Sequence, residues 1–152
     1  MRRMSMKISE IMTTQVKSLS PDTPVMEAID ALFANKISGL PVVDALGKIV
    51  GMFTEKDVLR NIMPSYISQV GKFVYENSSK SIKCKVSKLF EHKVGELMRH
   101  EVVKVLEDTG ICEVAHIMLT QNVRRTPVVD KNDVMVGIVA RSDVLDRILK
   151  HE

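Results

Sequence analysis

The chain contains no tryptophan, and aromatic residues make up only 4% of it. A core built around large rings is therefore excluded, and Val, Ile, Leu and Met must fill it. The ten methionines read as aliphatic filler in such a core. Cysteine is scarce too: Cys84 and Cys112 sit in unlike contexts. Two such residues do not make a disulfide scaffold, so free thiols in a reducing compartment are expected. No apolar run approaches the roughly 20 residues that a membrane-spanning helix needs. The opening stretch Met1-Arg2-Arg3-Met4-Ser5-Met6 carries two positive charges with no apolar segment behind them. It reads as a short frayed start rather than a secretion signal, and a cytoplasmic protein without membrane contact is the expectation. Neither sign of charge dominates, since 22 Lys and Arg face 19 Asp and Glu for a net +3. That balance is too modest to point to nucleic acid by itself.

Catalytic groupings are missing as well. His92, His100, His116 and His151 share no spacing with Cys84 or Cys112 that would ligate zinc. No Gly-rich phosphate loop of the Walker type occurs. The expectation is a non-enzyme that requires no cofactor and holds no metal.

What is present is a repeat. Residues 8–63 recur, in order and without a gap, as residues 94–149 at a fixed offset of 86. Ile8-Ser9-Glu10-Ile11-Met12 matches Val94-Gly95-Glu96-Leu97-Met98. Asp22-Thr23 matches Asp108-Thr109, and Pro41-Val42-Val43-Asp44 matches Pro127-Val128-Val129-Asp130. Gly51 meets Gly137, and Asp57-Val58-Leu59 meets Asp143-Val144-Leu145. A unit of about 55 residues is marginal alone because it buries too little surface, whereas two packed together are not.

Each copy reads as β-α-β-β-α, an α+β pattern. Residues 16–19 and 102–106 are short strand candidates. Thr23 can cap a helix with Pro24 at its first position, where a missing N–H costs nothing. Val25, Ala28, Ile29, Leu32 and Phe33 follow at helical spacing, matched by Ile111, Val114, Ala115, Met118 and Leu119. A strand opening on Leu40-Pro41 comes next, then a turn through Ala45-Leu46-Gly47 and a second strand over 48–53. The second copy turns through Lys131-Asn132-Asp133 into 134–139. A last helix carries Val58, Leu59 and Ile62, matched by Val144, Leu145 and Ile148.

Residues 64–93 fall outside the repeat and form an inter-repeat insertion expected to be mainly helical. Ile67, Val70, Phe73 and Val74 suggest one amphipathic helix and Asn77-Ser78-Ser79 a turn; Ile82, Cys84 and Val86 alternate like a strand, but Val86, Leu89 and Phe90 fit a second helix, the reading preferred. Lys80, Lys83, Lys85, Lys88 and Lys93 make the insertion basic. A solvated helix face and an anionic partner are both open readings of that charge.

Taken together, these residues resemble a tandem pair of CBS domains, the Bateman module named after cystathionine beta-synthase. The stretch Gly51-Met52-Phe53-Thr54-Glu55-Lys56-Asp57 matches the family's pattern of Gly, two hydrophobics, Thr or Ser, two variable residues and Asp. Leu40-Pro41-Val42-Val43-Asp44 and Asp22-Thr23-Pro24-Val25 match as well. The resemblance implies two units related by a pseudo-two-fold, with clefts at their junction that hold adenine nucleotides or related adenosyl compounds. It also implies a homodimer. The ligand would be AMP, ADP or ATP, with S-adenosylmethionine or NAD as alternatives.

Thr54 is expected where a strand hands over to a helix, a place where free N–H groups favour phosphate. Asp57 can accept the hydroxyls of a ribose. The same Thr54-x-x-Asp57 spacing also makes a capping box that needs no ligand. In the second copy Ala140 replaces the Thr while Asp143 remains, which leans towards a ribose role, though Ser142 could start that helix. Arg124 and Arg125 precede Pro127, where the first copy has Ser38 and Gly39. An Arg fork binds two phosphate oxygens at once, although two surface arginines on a turn would look the same. By the resemblance, Arg124 and Arg125 would face the nucleotide held by Thr54 and Asp57. Ser38 and Gly39 would line the other cleft with Asp143. Backbone at Val103 in the first cleft and Lys17 in the second would meet the adenine.

The function expected is a non-catalytic sensor read by a separate, unidentified effector protein. The alternative is a protein-interaction or scaffold module without a bound nucleotide.

Overall fold

In the computed structural model, residues 6–63, 66–69, 72–75 and 79–150 are described. A 3-10 turn, Ile8–Glu10, leads the chain. Helix α1 (Val25–Asn35) follows, then strands β1 (Gly39–Val43) and β2 (Ile49–Thr54) and helix α2 (Glu55–Ile62). The insertion supplies β3 (Tyr66–Gln69), β4 (Lys72–Tyr75) and α3 (Ser79–Leu89). The second copy gives α4 (Val94–Leu97), β5 (Val105–Leu106), α5 (Ile111–Thr120), β6 (Arg125–Val129), β7 (Met135–Ala140) and α6 (Arg141–Lys150). The α+β architecture of two like copies is therefore present; the second has its opening strand, β5, whereas in the first the strand expected over 16–19 is a single parallel bridge from Leu19 to Val42.

The two copies fold alike because their apolar residues fall at the same places. Val25, Ala28 and Leu32 are buried on α1, and Ile111, Val114 and Met118 take the equivalent places on α5. On β2 burial alternates through Ile49, Gly51 and Phe53, as a half-buried strand requires. Each hairpin turns on an aspartate. Asp44 Oδ1 accepts the N–H groups of Leu46 at 2.9 Å and Lys48 at 3.0 Å. Asp130 Oδ1 accepts those of Asn132 at 2.8 Å and Val134 at 3.0 Å. The left-handed position of the first turn falls on Gly47, at φ 81°, and that of the second on Asp133, at φ 67°. β6 runs parallel to β5 and antiparallel to β7, with Arg125 opposite Ala140 and Val128 opposite Gly137.

Two further expectations are corrected. Pro24, not Thr23, holds the N-cap position of α1, and it makes no side-chain cap bond. The Thr23 hydroxyl instead accepts the N–H of Ser20 at 3.0 Å, closing the preceding turn. The first half of the insertion is not helical: β3 and β4 pair antiparallel, Tyr66 opposite Tyr75 and Gln69 opposite Lys72. Tyr66, Ile67, Phe73, Val74 and Tyr75 are strand-favouring residues, and that preference overrides the helix-like spacing of the apolar positions. The expected helix over Val86 and Leu89 is found as α3. Val70 and the turn residues Asn77 and Ser78 lie outside the described residues.

The chain divides into two compact units that do not follow the repeat boundaries. One contains the segment ending at Ser18, Val43–Val50 and the segment from Glu101 onward; the other contains Leu19–Val42 and Gly51–His100. The opening segment of each copy is thus exchanged. In the first unit Ile8, fully buried, packs in a core with Val105, Ile111, Val114, Met118, Val128, Val139 and Val144. Its N–H donates to Thr109 O at 2.8 Å, and that of Ser9 to Glu107 O at 3.1 Å. In the second unit Val94, also fully buried, donates to Thr23 O at 2.9 Å, and Gly95 to Pro21 O at 2.8 Å. These are the same bonds 86 residues on.

Candidate functional site

The residues singled out from the sequence gather at two matched places, the starts of α2 and α6. In both, the strand leading into the helix is hydrogen-bonded to the loop before its neighbour. Glu55 N–H donates to Ser38 O at 2.8 Å, and Arg141 N–H donates to Arg124 O at 2.9 Å. This fixes what stands beside each helix start: Ser38 and Gly39 in one unit, Arg124 and Arg125 in the other.

At α2, Thr54 is the N-cap in extended conformation. Its N–H donates to Asp57 Oδ2 at 2.8 Å, and its hydroxyl stands 3.1 Å from the same oxygen. Arg60 Nη1 lies 3.4 Å from the other carboxylate oxygen. Asp57 is 2% exposed, so backbone and side-chain donors take the place of bulk water around its carboxyl group. Gly39 is required here: a Cβ on it would come within 2.8 Å of Thr54 Cγ2 and 3.2 Å of Phe53 O. Ser38 is exposed and Gly39 half-buried beside Thr54.

At α6 the framework persists with different chemistry. Ala140 N–H donates to Asp143 Oδ2 at 3.1 Å, so the acid still caps its helix without a threonine. Retention of Asp143 is therefore accounted for by capping, and by itself calls for no ribose. Arg124 and Arg125 are exposed, and with Ala140, Arg141 and Ser142 they line an open concavity of about 350 Å³. Arg141 was not singled out from the sequence, and Ser142 only as a possible start of the helix. The signal was the charge at the two variable positions of the motif, Arg141-Ser142 against Glu55-Lys56 in the first copy. Arg141 Nε–H donates to Val123 O at 2.9 Å, which orients its guanidinium. Among the described residues, no carboxylate pairs with Arg124, Arg125 or Arg141.

Two candidates lie elsewhere in the sequence. Val103 is half-buried in the segment before β5, and Lys17 is exposed just ahead of Leu19, which bridges Val42. Among the described residues, no group of His, Cys, Asp and Glu could hold a metal ion. No helix among them is long and apolar enough to cross a membrane. Cys84 and Cys112 are free and exposed.

The CBS domain family model matches residues 8–64 and 94–150, most of the chain. The chain belongs to the CBS domain family. It is 31% identical over 147 residues to a CBS domain-containing protein of Dictyostelium discoideum, covering 97% of this chain and 94% of the relative. It is 33% identical over 141 residues to the inosine-5'-monophosphate dehydrogenase of Methanocaldococcus jannaschii. That match takes in 93% of this CBS pair and 23% of the dehydrogenase. The crystal structure of the CBS-pair protein CBSX2 from Arabidopsis thaliana superposes with a TM-score of 0.74 at 27% identity, covering 95% of this chain and 94% of that one. CBSX2 has also been solved in complex with AMP; that structure superposes at 0.72 and 26% identity, covering 95% and 96%. The tandem organisation read from the repeat is that of these CBS-pair proteins.

Proposed function

We propose that this CBS pair is a non-catalytic regulatory module that binds an adenine nucleotide or related adenosyl ligand. The observation that carries the reading is the pair of matched helix starts, each with a capping aspartate and each flanked by the loop before Pro41 or Pro127. The complex of CBSX2 with AMP supports it. In this reading Asp57 and Asp143 accept ribose hydroxyls. Thr54, Ser38, Gly39 and the Arg124–Arg125 pair line the phosphate side, and the backbone at Val103 and Lys17 meets adenine. AMP, ADP and ATP are the ligands proposed, ahead of S-adenosylmethionine and NAD.

The signal is passed by differential affinity: the ligand shifts the protein towards whichever arrangement it binds better, and a separate effector protein reads the change. A cytoplasmic homodimer is the proposed form. Phe33 on α1 and Leu119 on α5 are repeat equivalents exposed at 77% and 71%, apolar surface that a second copy would cover.

Calorimetric titration with AMP, ATP, NAD and S-adenosylmethionine tests the reading, on the protein and on the Asp57→Ala and Asp143→Ala variants. At least one adenosyl ligand is expected to bind, and one of the two variants to lose it by tenfold or more. Each variant also loses a helix cap worth about 0.5–2 kcal/mol, so melting curves must first establish that it is folded. No heat with any of these ligands would favour the scaffold reading instead.

A further inference from the structure

The excess positive charge of the chain is concentrated in one helix of the insertion. α3 carries Lys80, Lys83, Lys85 and Lys88 and no acid. With these four set aside, the 22 Lys and Arg of the chain fall to 18, below its 19 Asp and Glu. Like charges three residues apart, as at 80 and 83 and again at 85 and 88, repel on a helix surface. Packing holds the helix against that repulsion: Leu89 is buried, and Ile82 and Val86 are half-buried. Lys85 Nζ donates to Met63 O at 2.8 Å, which ties α3 to the end of α2. Lys83 and Lys88 are exposed, and among the described residues neither makes an ion pair.

The chemistry of this face selects among anions. A basic helix that lies on a membrane gives its apolar side to the lipid, but the apolar residues of α3 are already turned into the fold. Single-stranded nucleic acid is held by stacking on aromatic side chains, and the exposed positions described on α3 are Lys83, Cys84, Ser87 and Lys88. Lysine is a hydrated point charge without the planar fork with which arginine grips a phosphate. A row of carboxylates satisfies such charges without a fixed geometry.

We propose that the outward face of α3, with Lys83 and Lys88, is a docking surface for an acidic segment of the effector protein, a stretch rich in Asp and Glu. α2 runs from the Thr54–Asp57 cap to the turn at Met63, so one helix of eight residues joins this surface to a proposed nucleotide contact. That the partner is the effector rests on the sensor reading above; that it is acidic rests on α3 alone.

Fluorescence anisotropy of a labelled poly-glutamate peptide on the full chain tests the surface, beside poly-uridylate RNA and phosphatidylserine vesicles. The peptide is expected to bind, and more weakly as salt rises. Lys83→Glu/Lys88→Glu should weaken it by about fivefold or more, because two attractive pairs become repulsive, and Lys83→Ala/Lys88→Ala by less. Both positions are exposed, so the variants keep the fold, which melting curves check. Arg124→Ala/Arg125→Ala should bind the peptide as the parent protein does; loss of binding in that variant would move the peptide to α6 and overturn the proposal. So would absence of peptide binding, an affinity unchanged by the charge reversal, or tighter binding of the RNA or the vesicles than of the peptide. Titrations with and without AMP separate this surface from the sensor reading. If peptide and AMP both bind and each shifts the other's affinity, the surface is the effector's, since such coupling is reciprocal. If both bind independently, its assignment to the effector is overturned. Peptide binding without any adenosyl ligand would defeat the nucleotide reading and leave the docking surface standing. AMP binding without the peptide would do the reverse.

Discussion

The thioether of Met98 sits over Gly51, 2.5 Å from where a Cβ on that glycine would stand. The carbonyl of Arg99 is 2.8 Å from the same point. The second copy repeats the relationship, with Met12 Sδ at 2.6 Å and Thr13 O at 2.9 Å from the Cβ position of Gly137. A methionine side chain can swing aside; the carbonyls cannot, because they are held in bridges. Arg99 and Met52 exchange N–H···O bonds of 2.9 Å, and Thr13 and Ile138 exchange bonds of 2.9 and 3.0 Å. Gly51→Ala and Gly137→Ala should each destabilise by about 1–3 kcal/mol, the usual cost of overpacking. Urea denaturation measures it, and a variant within experimental error of the parent protein would refute the close-approach account.

Much of this fold was legible because the chain states it twice. Periodicity placed α1 and α5, and Pro41 and Pro127 marked β1 and β6. The exchange of opening segments was not legible: Ile8 and Val94 read as ordinary apolar residues at the head of a copy, and no local pattern says which core they enter. The hairpin at 66–75 was missed because four apolar residues happened to fall near helical spacing. At the site, the acids and the Arg124–Arg125 pair were readable from the motif. Their grouping was not, since proximity of Arg125 to Arg141 follows from the β6–β7 register, with Arg125 opposite Ala140. Thr126 is a further case. It stands where the first copy has Leu40, is fully buried, and its hydroxyl has no hydrogen-bond partner among the described residues. Nothing in the structure explains that substitution.

The His92–Glu96 pair gives a pH dependence with a definite sign. His92 Nδ1 lies 2.5 Å from Glu96 Oε2, and the Lys93 N–H stands 3.4 Å from the same oxygen. The hydrogen bond from His92, then that from Lys93, holds the Glu96 carboxyl below its ordinary value of 4.5. A lowered folded-state pKa stabilises above the unfolded value and is lost as pH falls through the folded one. Stability should therefore decline with acidification below about pH 4.5 more steeply in the parent protein than in Glu96→Gln. Both residues are exposed, so the difference will be small. Parallel denaturation curves across that range measure it, and equal slopes would remove Glu96 from the account.

Exchange of the opening segments makes a prediction that the repeat alone would reverse. Ile8 belongs by sequence to the first copy, yet it packs with Ile111, Val114 and Met118 of α5. Its truncation should leave a cavity in that unit and cost about 2–5 kcal/mol. The loss should be local before it is global, because compact units open separately. In native-state hydrogen exchange, Ile8→Ala should deprotect the amides of α5, Ile111–Thr120, ahead of those of α1, Val25–Asn35. Val94→Ala should do the opposite, since Val94 is bonded to Thr23 at the entry to α1. Two variants at equivalent positions that each weakened the helix of their own copy would rule out the exchange.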